Sequence, residues 1–399
     1  MHVNIIGGGV AGAAAAIALR RIRSDVCVLE RRAADTGASG SFLTLGPNAL
    51  SALQALGVLD ATVRAGIITD GNVVLGADGR RLGSMGLGAA LRPGLTGLTV
   101  RRSALAALLR TAAEDAGARF EDGSAARYAA GRDAAELTLD GGGVRSGDLV
   151  IGADGVNSAT RVQLDPSAPG ARPLGLLNFG GVTRAPAVAS TLAPRSWSMI
   201  FGRRAFFGAI PAPSGDVAWF ANVPITEIPA GERLPAGDTA WRGRLVDLLR
   251  ADPGPAAELV ADGELDLAGH DTVDLPAVPT WHDGRCILIG DAVHAPAPSS
   301  GQGAGMALED AVVLARHLRH VRGDRLAGAL DDYEAERRRR VERIVAQGRR
   351  TSSTKTSSPR VRPVQERVMS LLLGSRALEL VNRRTTGWRA VPIPSSAAA

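Results

Sequence analysis

The chain has 399 residues, of which 45% are hydrophobic and 22% are charged, and this composition is typical of a globular protein and excludes a mostly disordered chain. The formal net charge is +6, but all but one of the 46 basic residues are arginines, so we attribute the high isoelectric point to a coding bias toward arginine and expect no nucleic-acid partner. No uninterrupted run of about 18 apolar residues predicts a membrane span, and the N-terminus lacks the basic region of a signal peptide.

The N-terminal segment predicts a βαβ unit with a glycine-rich turn. A β-branched run is followed by a glycine cluster, an alanine-rich helical run and a second apolar run. Gly7, Gly9 and Gly12 match the pattern G-x-G-x-x-G. In that pattern the first glycine permits a tight turn, the second lets a pyrophosphate approach, and the third lets helix and strand pack closely. Free N–H groups around Val10 and Ala11 would face the phosphates.

A carboxylate follows at the position that a dinucleotide site requires. Glu30 ends the second predicted strand, 18 residues after Gly12, where it can hold ribose hydroxyls. An acid here favours an unphosphorylated ribose, as in FAD or NAD, and the spacing does not choose between those two. Arg31, the next residue, is expected to line the same site.

Two later apolar runs also end in polar turns. The run 149–151 leads to Asp154 and Gly155, and the run 286–289 leads to Gly290 and Asp291. Both are typical of strands that deliver a turn to one edge of a parallel sheet. A Gly/Pro/Ser loop then precedes a predicted helix over 306–321.

The segments between these runs have a different pattern, typical of antiparallel β-structure. Residues 71–85 predict a β-hairpin, and residues 175–224 predict a mostly antiparallel sheet inserted into the βα framework. Much of the aromatic content lies in this sheet, as a pocket wall or as the core of that region, and the sequence leaves both open.

Four residues of the inserted sheet are candidates for a substrate-pocket wall: Phe201, Arg203, Phe206 and Trp219. Strand alternation places Phe206 and Phe207 on opposite faces, so at most one of the two can face the pocket.

The C-terminal third predicts a long charged helix over 331–349, a surface loop over 351–363 and an amphipathic helix over 364–373. Arginines 337–340 have acidic residues at helical spacing, which predicts a solvated, ion-paired face. Cys27 and Cys286 each lie in an apolar run. They are expected to be buried thiols of a cytoplasmic protein, and two cysteines build no disulfide or metal framework.

In this order, the G-x-G-x-x-G turn, the Asp154-Gly155 turn and the Gly290-Asp291 turn with its glycine-rich loop resemble the class A flavin-dependent monooxygenases. This is the family of para-hydroxybenzoate, salicylate and tetracycline hydroxylases, and the resemblance extends from residue 3 to about 345. It implies an α/β fold in which a Rossmann-like FAD-binding domain carries an inserted antiparallel β-sheet substrate domain and C-terminal helices. The expected boundaries are 1–70, 98–165 and 275–350 for the FAD domain, 71–97 and 166–274 for the inserted domain, and 351–399 for the C-terminal helix and tail.

The resemblance also assigns roles to individual residues. It implies that Glu30 binds the adenosine ribose, that Asp291 holds the ribityl chain, and that Arg102, rather than its neighbour Arg101, lies near the pyrophosphate. Asp154 is expected beside the cofactor, although it could equally cap its own turn. The other residues expected near the flavin are Leu45, His294, Pro298, Gly301, Gly303, Ala304 and Gly305. His294 is more typical of a structural hydrogen-bond partner than of a catalytic base.

The implied function is insertion of one oxygen atom of O2 into an aromatic or polycyclic small molecule through a flavin hydroperoxide, in antibiotic biosynthesis or related metabolism. NADPH or NADH would be a transient co-substrate, and the protein would be a monomer or homodimer without a membrane span. Tyr128 and Tyr333, the only tyrosines, fall outside the inserted sheet, so another group or water must ionise a phenolic substrate.

Two alternatives remain open at this point. A Baeyer-Villiger-type oxygenase or a flavin oxidase could use the same scaffold. A noncatalytic FAD-binding protein could use arginines 337–340 as a docking face.

Overall fold

The computed structural model describes residues 1–31, 42–123, 125–131, 134–228, 240–321, 323–356 and 361–393. The strands in these ranges are, in chain order, β1 (His2–Ile6), β2 (Asp25–Glu30), β3 (Phe42–Leu45), β4 (Ile67–Thr69), β5 (Gly71–Leu75), β6 (Arg81–Gly86), β7 (Gly97–Arg101), β8 (Arg119–Asp122), β9 (Ala125–Ala130), β10 (Ala135–Leu139), β11 (Val144–Gly147), β12 (Leu149–Gly152), β13 (Arg172–Arg184), β14 (Ser196–Phe201), β15 (Phe206–Pro211), β16 (Asp216–Pro224), β17 (Glu264–Asp274) and β18 (Cys286–Leu288). The helices are α1 (Val10–Arg21), α2 (Pro47–Ala55), α3 (Leu59–Arg64), α4 (Arg102–Asp115), α5 (Ala159–Leu164), α6 (Pro186–Thr191), α7 (Trp241–Leu249), α8 (Ala256–Ala261), α9 (Asp291–His294), α10 (Gly303–Leu318), α11 (Leu326–Ser353), α12 (Arg362–Leu372) and α13 (Arg376–Thr386).

A parallel sheet brings the three motif turns together. Five strands of the described ranges pair in the order β18-β12-β1-β2-β8, all in parallel. Ile6 pairs with Gly152, and Gly152 pairs with Leu288. Because these residues end β1, β12 and β18, the turns that follow them leave the same edge of the sheet. The predicted Rossmann-like βα framework is confirmed.

Helix α1 packs tightly because its side chains are small. Its residues from Ala11 to Leu19 are all buried, and six of those nine are alanines. They pack against α4 and α10 as well as the sheet. Small side chains let α10 approach, so the helix that begins at Gly303 lies beside the glycine-rich turn.

The inserted sheet is also confirmed. It has the order β17-β13-β16-β15-β14-β5-β6 and is antiparallel except for the β14–β5 pair. The predicted hairpin is β5 and β6. Helices α7 and α8 contribute to the core on one face, which includes Phe179, Phe207, Trp219 and Trp241. The opposite face carries Trp197, Ile210 and Phe220.

Two three-stranded sheets were not predicted. One is an antiparallel sheet of β9, β10 and β11, which lie between β8 and β12 in the chain. The other consists of β3, β7 and β4. Strand β9 is rich in alanine, which favours helices, so its local sequence contradicts its pairing. The second sheet is tied to the inserted sheet by Trp197, whose Nε1 donates to Thr44 Oγ1 at 2.9 Å and to Thr99 Oγ1 at 3.0 Å.

The C-terminal helices differ from prediction in two ways. Helix α11 is longer at both ends than the predicted 331–349, and α13 was not predicted. No helix within the described ranges is both long enough and apolar enough to cross a lipid bilayer. Cys27 and Cys286 are buried free thiols, as expected.

The arginine run forms the predicted ion-paired face only in part: Arg338 pairs with Glu334 and Glu342 at helical spacing and Arg339 is exposed, whereas Arg337 is buried. Arg337 is 1% exposed, and its guanidinium donates to Asp310 Oδ1 at 2.8 Å and to Glu309 Oε2 at 2.5 Å. Arg340 also donates to Glu309, and Arg338 lies over the Trp281 ring. For Arg337 and Arg340 the partners lie on α10 rather than at helical spacing on their own helix. Arg337 is therefore too buried to take part in a docking face.

The buried position of Arg337 makes a stability prediction. We expect Arg337→Met to leave two buried carboxylates undercompensated, at a cost of about 3–5 kcal/mol, or roughly 4–6 °C in the Tm of a chain of this length. Arg339 is exposed, so Arg339→Met should leave the Tm within about 1 °C. Calorimetry of the FAD-free proteins measures both values. Equal Tm values for the two variants would contradict the buried ion pairs.

Candidate functional site

The glycine-rich turn has the backbone geometry that its pattern predicts. Gly7 has a φ of +99°, and a side chain there would come within 2.5 Å of the Ala153 carbonyl oxygen. A side chain on Gly12 would collide with the Gly7 carbonyl oxygen. Gly9 is exposed, and a Cβ built there meets no described atom within 4 Å. Two glycines therefore serve close packing, and the third leaves open space in front of the helix start.

The start of α1 and Glu30 complete this part of the site. Helix α1 has neither a side-chain cap nor an acidic residue in its first turn, so the first N–H groups, at Val10 and Ala11, can serve an anion. Glu30 Oε2 accepts a hydrogen bond from the Gly8 N–H at 2.6 Å, which places its carboxylate against the turn. Arg31 is exposed directly after it. Uncapped N–H groups, open space and a carboxylate at the strand end fit the pyrophosphate and ribose of FAD.

The structure separates the two neighbouring arginines. The Arg101 guanidinium forms an ion pair with Asp266 at 2.7 Å and lies 5.0 Å from the Phe42 ring centroid. Arg102 begins α4, is exposed, and has no ion-pair partner among the described residues. Arg102 is therefore the residue whose charge is available to a phosphate.

The second turn is held by its own side chain. Asp154 accepts hydrogen bonds from the Ser158 hydroxyl at 2.5 Å and from the Thr160 N–H at 3.0 Å. This matches the turn-capping alternative. Sequence reasoning missed Arg161, which is 3% exposed and donates to the Ala292 carbonyl oxygen at 2.8 Å. Arg161 thus ties the second turn to the third.

The third turn places Asp291 beside the start of α10. Asp291 is the first residue of α9 and is partly exposed, and its Oδ1 lies 3.8 Å from a Cβ built on Gly303. Gly290, with a φ of +59°, donates its N–H to Asp310 Oδ2 at 2.9 Å. His294 is 3% exposed, and its Nε2 lies 2.6 Å from the same carboxylate oxygen. The contact with Asp310 matches the expected role of His294 as a structural hydrogen-bond partner.

The loop between α9 and α10 exposes the remaining flavin-side candidates. Pro298 and Gly301 are exposed, and Gly301 adopts a φ of +61°. Helix α10 begins with Gly303, Ala304 and Gly305, and it has neither a side-chain cap nor an acid in its first turn. Its N–H groups are therefore available to a negatively charged ring system.

A buried ionic cluster lies directly below this helix start. Glu309 and Asp310 are fully buried on α10. Burial by itself raises the pKa of Asp310, but His294 and Arg337 bring that pKa down to about 2, so the carboxylate stays ionised. The pKa of Glu309 is also lowered, against its burial, by Arg337 and Arg340. The only local signal for this cluster in the sequence is a pair of adjacent acids inside an apolar helical pattern.

The candidate wall residues divide between the two faces of the inserted sheet. Phe206 packs edge-on against Phe201, with 4.8 Å between ring centroids, and lies 5.8 Å from Phe220. Trp219 lies on the other face, stacked on Phe207 with 6.0 Å between ring centroids. This corrects the assignment of Trp219, because β16 turns alternate side chains to opposite faces.

Leu45 is also corrected, because it is 1% exposed within the main core. Phe201, Arg203 and Phe206, by contrast, line one cavity between the inserted sheet and α12. Lys355 lines the same cavity, although the sequence placed it in a surface loop. The available signal was that Lys355 is the only lysine in an arginine-rich chain.

Comparison with known proteins matches this geometry. A family model described as FAD binding domain matches residues 1–348. The chain is 31% identical over 359 residues to aurachin C monooxygenase/isomerase of Stigmatella aurantiaca, with 87% of each protein covered. It is 33% identical over 332 residues to 2-heptyl-3-hydroxy-4(1H)-quinolone synthase of Pseudomonas aeruginosa, with 79% of this chain and 80% of the relative covered.

A solved structure shares the whole architecture. Klebsiella pneumoniae HpxO, in complex with FAD and uric acid, superposes with a TM-score of 0.81 at 24% identity, and the match covers 96% of both chains. At this level of identity the likeness shows the fold.

Gly9 offers a direct test of the pyrophosphate site. We expect Gly9→Ala to raise the Kd for FAD about tenfold or more, because the added methyl group occupies the open space in front of α1. The control is Gly141→Ala, since a Cβ on Gly141 also meets no described atom within 4 Å. Flavin-fluorescence titration of the two apoproteins measures the Kd. An unchanged Kd in Gly9→Ala would place the pyrophosphate elsewhere.

The two arginines provide a second test. We expect Arg102→Gln to weaken FAD binding about tenfold, the typical effect of losing one charge-assisted contact. Arg101→Gln should break the ion pair with Asp266 and leave FAD affinity within about twofold. The same titration measures both variants. If only Arg101→Gln weakens binding, the assignment is reversed.

Proposed function

The chain belongs to the class A FAD-dependent aromatic monooxygenases, and we propose on that basis that it transfers one oxygen atom of O2 to an aromatic or polycyclic small molecule, with NADH or NADPH as the reductant. The observation that carries the proposal is the meeting of three motif turns at one edge of the parallel sheet, in a chain that also presents an aromatic sheet face. These two features support the proposal that one chain holds both FAD and an aromatic substrate.

FAD is the cofactor of this family, and when bound it supplies the redox and oxygen-activating chemistry. The chain's own residues would bind and orient it. The start of α1 and Arg102 would hold the pyrophosphate, and Glu30 would hold the adenosine ribose. Asp291 would hold the ribityl chain, and the free N–H groups at Gly303 would stabilise negative charge on the reduced ring.

The sheet face supports an aromatic substrate. Phe201 and Phe206 pack edge-on against each other, and both line one cavity of the inserted sheet, where an aromatic ring of the substrate could pack against them. The names of two relatives refer to a quinolone and to aurachin C, which is consistent with a heteroaromatic substrate. A class of ring systems, rather than one compound, is proposed.

The decisive experiment separates reduction from oxygen transfer. We expect NADH or NADPH to bleach the flavin absorbance of the anaerobic FAD-loaded protein, faster when a suitable hydroxyquinoline or hydroxybenzoate is present. On admission of 18O2, the product should carry one labelled oxygen on a ring carbon. An Asp291→Ala variant should lose flavin and turnover together, whereas Asp331→Ala, on the exposed start of α11, should lose neither.

Other outcomes discriminate against the proposal. Hydrogen peroxide without a labelled organic product would indicate a flavin oxidase, and a label within a new ester or lactone would indicate a Baeyer-Villiger oxygenase. If neither NADH nor NADPH bleaches the flavin, with or without a hydroxyquinoline or hydroxybenzoate, the proposed reduction of FAD by a nicotinamide nucleotide is contradicted.

A further inference from the structure

A small cavity separates the inserted sheet from the C-terminal helices. Its volume is 230 Å³, which is below the range of about 300–1,000 Å³ typical of drug-sized ligands and suits a one- or two-ring compound. The sheet side contributes Phe201, Arg203 and Phe206, and the other side contributes Lys355 and residues of α12. The cavity therefore lies between the inserted sheet and a C-terminal segment that follows residue 348, where the match to the FAD-binding family model ends.

Lys355 is held in a defined position on the sheet face. Its Nζ donates a hydrogen bond to Asn222 Oδ1 at 2.6 Å, and Asn222 Nδ2 donates to Asn178 Oδ1 at 2.9 Å. The same Nζ lies 4.0 Å from the centroid of the Phe206 ring and 5.8 Å from that of Phe220. An ammonium group has three protons, so the contact with Asn222 leaves two for a ligand.

Helix α11 links Lys355 to the loop expected beside the flavin. A Cβ built on Gly348 would lie 3.0 Å from Ser300 Cβ and 3.6 Å from Ala297 Cβ, so this turn of α11 packs against the loop that carries Pro298. Lys355 follows Gly348 by seven residues, a rise of roughly 10 Å along a helix. The segment that carries Lys355 thus continues directly from the turn of α11 that packs against that loop.

The cavity favours an anion. Arg204 is paired with Glu227 at 2.9 Å, and Glu366 accepts the Ala77 N–H at 3.2 Å, so both acids are engaged. The guanidinium groups of Arg203 and Arg362 form no ion pair among the described residues. Both lie near the Asp252 carboxylate, whose pKa is raised by burial and lowered in part by these two groups. Apart from Lys355, the lining has three cationic side chains against two acidic ones: Arg203, Arg204 and Arg362 against Glu227 and Glu366.

We propose, resting on the proposed function, that Lys355 binds the acidic oxygen of a phenolic or enolic substrate and holds it ionised for oxygen transfer. The neutral amine takes the O–H proton and becomes an ammonium group, which then donates a hydrogen bond to the oxyanion that it has formed. The ionised oxygen places its electron pair into the ring, which makes the neighbouring carbon more nucleophilic. Lys355 therefore replaces the tyrosines that the inserted sheet lacks.

The acidity of the amine agrees with this role. Burial lowers the pKa of Lys355 to about 7, so the amine can exchange a proton with a phenol near neutral pH. An arginine at this position could hold the anion but could not take the proton.

The first test measures binding alone. At pH 6, 4-nitrophenol bound to the FAD-loaded protein should show the absorbance of its phenolate, and 4-nitroanisole, which cannot ionise, should bind more weakly. Lys355→Met should reduce phenolate binding about tenfold or more, and Lys355→Arg should restore most of it. Arg339→Met is the charge-matched control and should behave like the parent.

The second test uses the uniqueness of this lysine. Reductive methylation with 13C-formaldehyde labels only Lys355 and the N-terminal amine, so NMR can follow the titration of each. A Lys355 midpoint near 7 supports proton transfer, and an ordinary lysine midpoint overturns it. Phenolate binding that persists unchanged in Lys355→Met, or is absent from the parent, overturns the site. Because neither test requires turnover, failure here is distinct from failure of the labelled-oxygen experiment.

Discussion

The structure depends on one buried ionic cluster. Glu309 and Asp310 lie in the second turn of α10 without solvent exposure, and Arg337 and Arg340 reach them from α11. Each buried charge costs several kcal/mol unless it is paired and hydrogen bonded, so these helices are stable only in mutual contact. Asp310 also accepts the Gly290 N–H, which fixes the third motif turn relative to both helices. These buried charges therefore fix the position of the turn that carries Asp291.

The same cluster determines where the C-terminal segment runs. With Arg337 fixed against α10, the rest of α11 passes the Pro298 loop at Gly348 and reaches the inserted sheet at Lys355. Because a helix is rigid, the buried ion pairs of Arg337 also determine the position of Lys355, about five turns further along the chain. Helix α11 and the segment after it therefore connect the Pro298 loop with the inserted sheet, in addition to the sheet contacts made by Trp197.

Sequence reasoning succeeded where function requires a local backbone geometry. The glycine pattern predicted the turn at Gly7 and Gly12, and the strand ends before Asp154 and Asp291 predicted a shared sheet edge, because these features depend on neighbours in the chain. It failed for Arg337, whose nearby acids suggested a surface face while the true partners lie on α10. It also failed for Trp219, because alternation gives relative faces but not which face meets the ligand. Such partners are set by tertiary packing, which a single sequence does not report.

Lys355 is the only lysine of the chain, and this compositional exception points to a chemical role although the neighbouring sequence predicts a surface loop. A chain that uses arginine for nearly every cation gains no surface advantage from a single lysine. The two side chains differ in one property that matters in a half-buried site, since an amine can lose its proton and a guanidinium cannot. Near Arg203 and Arg362, a third fixed positive charge would add attraction for an anion but could not remove the proton that forms the anion. The amine over Phe206 supplies that means, so we infer that the exception in composition marks the place where the protein needs a proton to move.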